Sequence, residues 1–430
     1  SIITPIANAN GLFTTQFTVD TQPYGTNTIV GYSNSMQQSA TSTVFKITQN
    51  IISVIPISGT VGTWATIRGN GYSVNTSCRI SFDDHYAFAF TLADNNGSFT
   101  LVFSVCEHPY GSNTVAVKDL DAIKIIFYKE HFHITPNIYL VTPTLGTVGV
   151  VVTIKGNGYS CEELVRIDFG QSNTITQVTT SIDSGNPKYH GGTFTVFFTV
   201  DSQPFGTTTI TGYGLTSNDY GYNRFNIKAR IYDFTPTSGT IGSWVTIKSD
   251  GYGKTESIRI EFGSTPTIIS SQASDCGTFT IKFTVDTQPA TITVYAHGET
   301  SKESDSRVYV VLAKLTLISP TSGTVGSSII IEGGGYGPGD GLRIDFGNKN
   351  EIKMLSAGGG GTFSTTINVN TQPYGVKTIV VTGLTSGNSD SGTFTIMPKL
   401  TSVSPKTGTI GALVSVSGNG YSASENIHII

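Results

Sequence analysis

PTSGTIGSWVTIKSDGYG, residues 236–253, is the stretch that decides what kind of chain this is. Pro236 opens a turn, because its ring fixes φ and it carries no N–H. Gly239 and Gly242 bracket Thr240 and Ile241, so the chain can bend on both sides of them. Trp244 to Lys248 then read as a strand rich in β-branched residues. Gly251 supplies the next turn, and Tyr252 follows it. Beyond it, Arg259, Ile260, Glu261 and Phe262 alternate polar and apolar, which places Ile260 and Phe262 on one strand face. From Gly277 to Val285 the alternation is strict, with Phe279, Ile281, Phe283 and Val285 as the expected buried face. A turn at Asp286-Thr287-Gln288-Pro289 closes that strand, and Ile292 to Val294 begin another.

Variants of the opening stretch occur five times. Its proline stands at Pro56, Pro143, Pro236, Pro320 and Pro405, at intervals of 87, 93, 84 and 85 residues. A fixed period of this length means one small domain copied in tandem. Short strands broken by turn signals within each period are the pattern of an antiparallel β-sandwich. No run of apolar residues follows helical spacing, and Gly or Pro interrupts most segments before a helix can propagate.

The five copies are PISGTVGTWATIRGNGYS, PTLGTVGVVVTIKGNGYS, PTSGTIGSWVTIKSDGYG, PTSGTVGSSIIIEGGGYG and PKTGTIGALVSVSGNGYS. This pattern resembles the IPT/TIG family of immunoglobulin-like domains, and the resemblance spans the chain because each copy heads one unit. It implies an all-β fold of tandem immunoglobulin-like antiparallel β-sandwiches forming an elongated multidomain rod. It says little about function: the family occurs in transcription factors, receptors, polysaccharide-acting enzymes and prokaryotic surface proteins, and fold does not decide function.

The expected organisation is the second half of a unit at 1–48, whole units at 49–134, 135–228, 229–312 and 313–398, and the first half of a unit at 399–430. The 49–134 unit departs most from the pattern. Asp83 and Asp84 replace the Gly after the Arg-Ile-x-Phe strand, and Cys106-Glu107-His108 replaces the usual Asp-Thr-Gln. The 135–228 unit carries an insertion around Asp183 to Gly191, and the 229–312 unit lacks Tyr-Gly after Gln288-Pro289. Phe13 corresponds to Phe363 and Ile429 to Ile344, so only pattern positions 346 to 350 separate tail from head. Two expectations follow: a window from a longer array, or a head-to-tail polymer in which one chain's end completes the next chain's beginning. Ser1 is not Met and no secretory signal precedes it, which fits a processed product or an excerpt.

Composition bounds the function classes. Charged residues are 13% of the chain and the net charge is −4, from 25 basic and 29 acidic residues. That supplies no basic surface for nucleic-acid phosphates. No apolar run is long enough for a membrane helix. The four cysteines match no zinc spacing. Cys78 and Cys106, in one unit, are read either as a disulfide or as free thiols, and Cys161 and Cys276 have no partner within their units.

Candidate chemistry is sparse. GNGY at 69–72, 156–159 and 418–421 lacks the following helix that a phosphate loop needs, and reads as a β-turn. The recurring Val-Asp-Thr-Gln-Pro-Tyr-Gly loop at 19–25, 200–206 and 369–375 has ordinary turn chemistry. A calcium role for Asp20, Asp201 and Asp286 is the rival reading, weakened by having one carboxylate per loop. Calcium between units through Asp83, Asp84 or Asp345 stays open. Among His85, His108, His131, His133, His190, His297 and His428, only His131 and His133 are spaced to share a strand face, and two ligands make an incomplete metal site. No nucleophile elbow or carboxylate pair stands out. No catalytic, cofactor-binding or metal residue is therefore assigned, and no cofactor is expected. Arg79, Arg166, Arg259 and Arg343 recur on one strand face and read as solvated cross-strand pairs. Asn75-Thr76-Ser77 and Asn96-Gly97-Ser98 fit the N-glycosylation pattern. Tyr24, Tyr110, Phe205 and Tyr374 recur in the turn, either packed over a strand end or forming an aromatic platform.

The expectation is a non-enzymatic, extracellular structural protein of the cell surface or envelope, a repetitive array that self-associates into a surface layer (S-layer) or filament, with glycans as further partners. The alternative is an adhesin or carbohydrate-binding stalk presenting a separate head domain. An accessory region of an enzyme whose catalytic module lies elsewhere is the third reading.

Overall fold

The computed structural model describes residues 2–82, 86–121, 128–182 and 191–430. Asp83, Asp84, His85, His190 and most of the 183–191 insertion lie outside the described residues. Among the described residues every regular element is a β-strand, and no helix is long and apolar enough to cross a membrane. By contacts the chain divides into two compact units, residues 1–145 with 150–200 and 207–226, and residues 146–149 with 201–206 and 227–430.

The strands between 230 and 312 serve as the reference repeat. They are β1 (Arg230–Thr235), β2 (Ser238–Thr240), β3 (Trp244–Asp250), β4 (Ser257–Phe262), β5 (Thr265–Gln272), β6 (Phe279–Thr284), β7 (Thr291–Gly298) and β8 (Ser304–Leu312). One sheet has the order β1-β3-β6 and the other β2-β8-β7-β4-β5. All pairings are antiparallel except β2 with β8, which run parallel. The same two orders recur in the strands from Asn50 to Ile134, from Asn137 to Ile227 and from Lys314 to Met397. Gly25–Ser33 and Gln38–Ile47 pair like β7 and β8, and Lys399–Ser404 and Ser415–Asn419 pair like β1 and β3. This is a tandem series of immunoglobulin-like β-sandwiches.

The alternating faces form the cores. Phe279, Ile281, Phe283 and Val285 are all buried, with Ile260 and Phe262 facing them at no exposure. Tyr252, Val245, Ile247 and Tyr309 complete the same cluster. Equivalent clusters fill the repeats at 51–134 and 313–396. Burying such side chains contributes about 1.5–3 kcal/mol each, so every sandwich holds itself together without staples. Cys78 and Cys106 are not bridged to each other. Burial pushes both of those thiols up to about 12, which leaves them protonated and unreactive at neutral pH. The peptide bond before each of the five motif prolines is cis.

Candidate functional site

The Gly-Tyr motif is the hub of a contact that recurs at every step from one repeat to the next. Tyr72, Tyr159, Tyr252 and Tyr336 are fully buried. The hydroxyls of Tyr159, Tyr252 and Tyr336 donate to the Gly212, Ala296 and Val381 carbonyls, and burial raises all three phenol pKa values. The preceding glycine adopts positive φ (+73° at Gly251), and a side chain there would overlap the Lys228 carbonyl of the connecting segment. Only glycine meets both demands.

The backbone of each tyrosine is held from both sides. Its N–H donates to a glycine carbonyl of its own repeat, Tyr252 to Gly277 at 3.1 Å and Tyr336 to Gly361 at 3.1 Å. Its carbonyl accepts from the residue that follows the loop proline of the repeat before. Tyr24 N–H donates to Tyr72 O at 2.9 Å, Tyr110 to Tyr159 at 2.9 Å, Phe205 to Tyr252 at 2.8 Å, Ala290 to Tyr336 at 3.2 Å and Tyr374 to Tyr421 at 3.0 Å. The loop prolines press on the same glycines: a Cβ on Gly97, Gly192, Gly277 or Gly361 would come within 2.7–3.3 Å of the Cα of Pro23, Pro109, Pro204 or Pro289. The turn read from sequence is therefore also a docking loop. Its aromatic side chain is not essential, since Ala290 makes the bond without one.

The glutamine fixes this loop. Gln22 and Gln203 donate to Asp20 and Asp201 at 3.0 Å, and Gln372 donates to Asn370 at 2.6 Å. Gln288 Oε1 accepts from Ser264 N–H, Gln372 Oε1 accepts from Asn348 N–H, and Gln203, Gln288 and Gln372 are buried. Asp286 accepts from Thr265 Oγ1 at 2.5 Å. These carboxylates are thus used inside the loop, and among the described residues no group of three His, Cys, Asp or Glu is placed to hold a metal ion. In the 49–134 repeat His108 takes the glutamine position, buried on the Phe82 ring at 4.8 Å, with Cys106 Sγ 3.3 Å from its Nδ1.

The aromatic rings of the loop do not form a platform. Tyr24 lies under Lys46 Nζ at 5.4 Å, Tyr110 meets His133 edge-on at 5.2 Å, and Phe205 lies under Lys228 Nζ at 5.6 Å. Tyr374 is half exposed. His131 and His133 alternate with buried Phe132 and Ile134 on one strand, as their spacing implies. The arginine pairs differ from expectation: Arg166–Asp168 (2.9 Å) and Arg343–Asp345 (3.1 Å) lie along one strand at i, i+2, not across two. Arg259 reaches beyond its own strand to Glu299 at 3.0 Å, and Arg166 lies over the Tyr213 ring of the neighbouring strand at 5.2 Å.

A second tie was not foreseen. In each repeat one buried carboxylate joins the turn after Gly-Tyr to the β7–β8 turn or its equivalent. Glu256 accepts from the N–H of Gly253, Thr300 (3.1 Å) and Ser301 (2.8 Å). Glu163 accepts from Ser160, Thr216 and Ser217, and Asp340 from Thr385 and Ser386. Burial alone would raise the pKa of Glu256 and Asp340, but these donors outweigh it and hold both below the ordinary carboxylate value.

No family model and no curated protein matches the chain. Among solved structures it is similar to invasin, a bacterial integrin-binding protein, with 12% identity over 83% of this chain and 81% of that one and a TM-score of 0.22. The ICAM-5 D1–D4 ectodomain fragment gives 11% identity, 81% and 98% coverage and a TM-score of 0.21. Escherichia coli α2-macroglobulin activated by porcine elastase gives 9% identity and a TM-score of 0.20; the match covers 89% of this chain and 48% of that one, about half its length. The fold class rests on the strands and cores described above.

Proposed function

We propose that this chain is a non-catalytic structural protein of the cell surface, an IPT/TIG-type array that assembles into a surface layer or an extracellular filament. The observation that carries this reading is the repeated docking of the proline loop (Gln-Pro in four repeats, His108-Pro109 in one) on the next Gly-Tyr turn, the same backbone bond at all five steps. A chain whose function lay in one repeat would have no need to keep the joint at every step. Low charge supports an extracellular setting, and self-association is the implied partnership. The test is sedimentation velocity of the purified chain over a wide concentration range. Concentration-dependent growth into large, regular assemblies is expected. A monomer at every concentration overturns the reading.

The second reading, a stalk that presents a separate head, is favoured by one feature, the exposed tyrosines of the 135–228 repeat. It predicts that the chain stays monomeric and that cell attachment maps to another part of the protein.

A further inference from the structure

One corner of the 135–228 repeat is built unlike that of the two repeats that follow it. In the reference repeat Asp305 accepts the Ile231 N–H at 2.7 Å, and Arg307 donates to the Ile231 carbonyl. In the next repeat Asp390 likewise accepts the Leu315 N–H at 2.7 Å. These residues seal the strand equivalent to β8 against the strand equivalent to β1. In the 135–228 repeat the aspartate position is Gly221, and Asn223 alone makes the tie, donating to the Ile138 carbonyl at 2.8 Å. The bare Gly221 lets the strand approach: a Cβ there would come within 2.7 Å of the Asn137 backbone.

The outward face of that strand differs as well. Tyr220 and Tyr222 stand where the sister repeats have Ser304 and Ser306, or Ser389 and Ser391. Being two apart, they point the same way about 6.6 Å apart along the strand, followed by Arg224. They are 54% and 58% exposed, and Tyr139 on the facing strand is 51% exposed. All three tyrosines line one open groove of about 750 Å³ together with Asp219, Asn223 and Arg224. The Arg224 guanidinium is in no salt bridge among the described residues.

We propose that this groove binds an oligosaccharide built of pyranose rings. The large exposed apolar side chains that line the groove are all aromatic, its aliphatic lining residue Ile138 is buried, and Asp219, Asn223 and Arg224 supply polar lining. A protein-binding patch centres on a dry apolar core with charge depleted. A pyranose ring instead offers a C–H face to a tyrosine ring and a rim of hydroxyls to carboxylate, guanidinium and phenol groups. The groove has that mixture, and the 229–312 and 313–398 repeats carry serines in place of its paired tyrosines. Asn223, whose amide is spent on Ile138 and whose Oδ1 accepts the Arg224 N–H at 2.8 Å, acts as a positioning residue.

The test uses the full chain with cellohexaose, maltohexaose, chitohexaose and mannohexaose as probes, read by saturation-transfer NMR and isothermal titration. At least one is expected to bind. The double variant Tyr220→Ser/Tyr222→Ser is expected to weaken it about tenfold or more. Serine is the native residue at both positions in the 229–312 and 313–398 repeats, so this variant is expected to fold. Trp244→Ala, an exposed aromatic outside the groove, is expected to leave the affinity unchanged. The proposal is overturned if none of the four binds at millimolar concentration, or if binding survives the double serine variant. It is also overturned if that variant loses a protein partner instead of a sugar.

Discussion

The 49–134 repeat and the 229–312 repeat tie the same two loops together with one buried carboxylate, yet take it from opposite sides. In the later repeat it is Glu256, on the turn after Gly-Tyr, and its neighbour across the gap is Gly298. In the earlier repeat the position of Glu256 is Thr76, and the position of Gly298 is Asp119. Asp119 is 3% exposed and accepts from Ser73 N–H and Oγ at 2.9 Å, Thr76 Oγ1 at 2.8 Å and Asp121 N–H at 3.0 Å. The Glu163/Gly214 and Asp340/Gly383 pairs follow the later pattern. The lesson is that the fold demands one acceptor for buried donors at this spot and no more than one. Which strand supplies it is free.

The largest effect should come from supplying two. A Cβ on Gly298 would lie 2.5 Å from Glu256 Oε1, so Gly298→Asp forces a second carboxylate into an occupied site. We expect a loss of about 3 kcal/mol or more in denaturant unfolding of that repeat. Adding Glu256→Thr, which recreates the arrangement of the earlier repeat, should restore most of it. If the double variant is no better than the single one, the exchange is not a true equivalence.

Supplying none should cost less. Glu256→Thr alone leaves the Gly253, Thr300 and Ser301 N–H groups without their acceptor, and should destabilise by about 2 kcal/mol in the same assay.

Acid should act on both patterns alike. Burial would raise the Asp119 pKa, but its Ser73, Thr76 and Asp121 donors hold it low, as Ser301, Gly253 and Thr300 do for Glu256 and Ser386 and Thr385 for Asp340. A carboxylate with a lowered folded pKa stabilises above its unfolded value of about 4 and loses that contribution as pH falls through its folded value. Calorimetry should therefore show melting temperatures nearly flat above about pH 5 and falling below about pH 4. Asp119→Asn should reduce the acid-dependent part of the earlier repeat and leave the other repeats unchanged.

The smallest effect concerns the docking loop. Changing Cys106 and His108 to Asp and Gln gives the earlier repeat the loop chemistry of the others, and should alter its stability by less than about 1 kcal/mol. A larger loss would show that His108 on Phe82 is a packing element in its own right.

Much of this was readable in the chain. The alternation at Phe279, Ile281, Phe283 and Val285 gave a buried face because a strand has a period of two, and nothing distant competes with that rule. The docking loop reads as a turn, which it is, but its bonding partner lies 47 residues downstream, from Phe205 to Tyr252, a pairing that only the fold creates. Asp20 and Asp201 invited a calcium reading because a lone loop carboxylate has no visible partner in sequence; the partner is a glutamine two residues on. The exchange of Thr76 and Asp119 was hidden for the same reason as the docking bond. Two substitutions separated by 43 residues look unrelated until register places them together. The tyrosine groove is not legible in sequence because Tyr139 and Tyr222 belong to different sheets.

The central claim is that repeats joined by one recurrent docking bond build a surface assembly. Electron cryo-tomography of the source cells, with the chain located by antibody, tests it most directly. The account predicts a two-dimensional lattice or a continuous fibre with a regular repeat. Scattered single molecules, each ending in a globular head and showing no lattice, would contradict it.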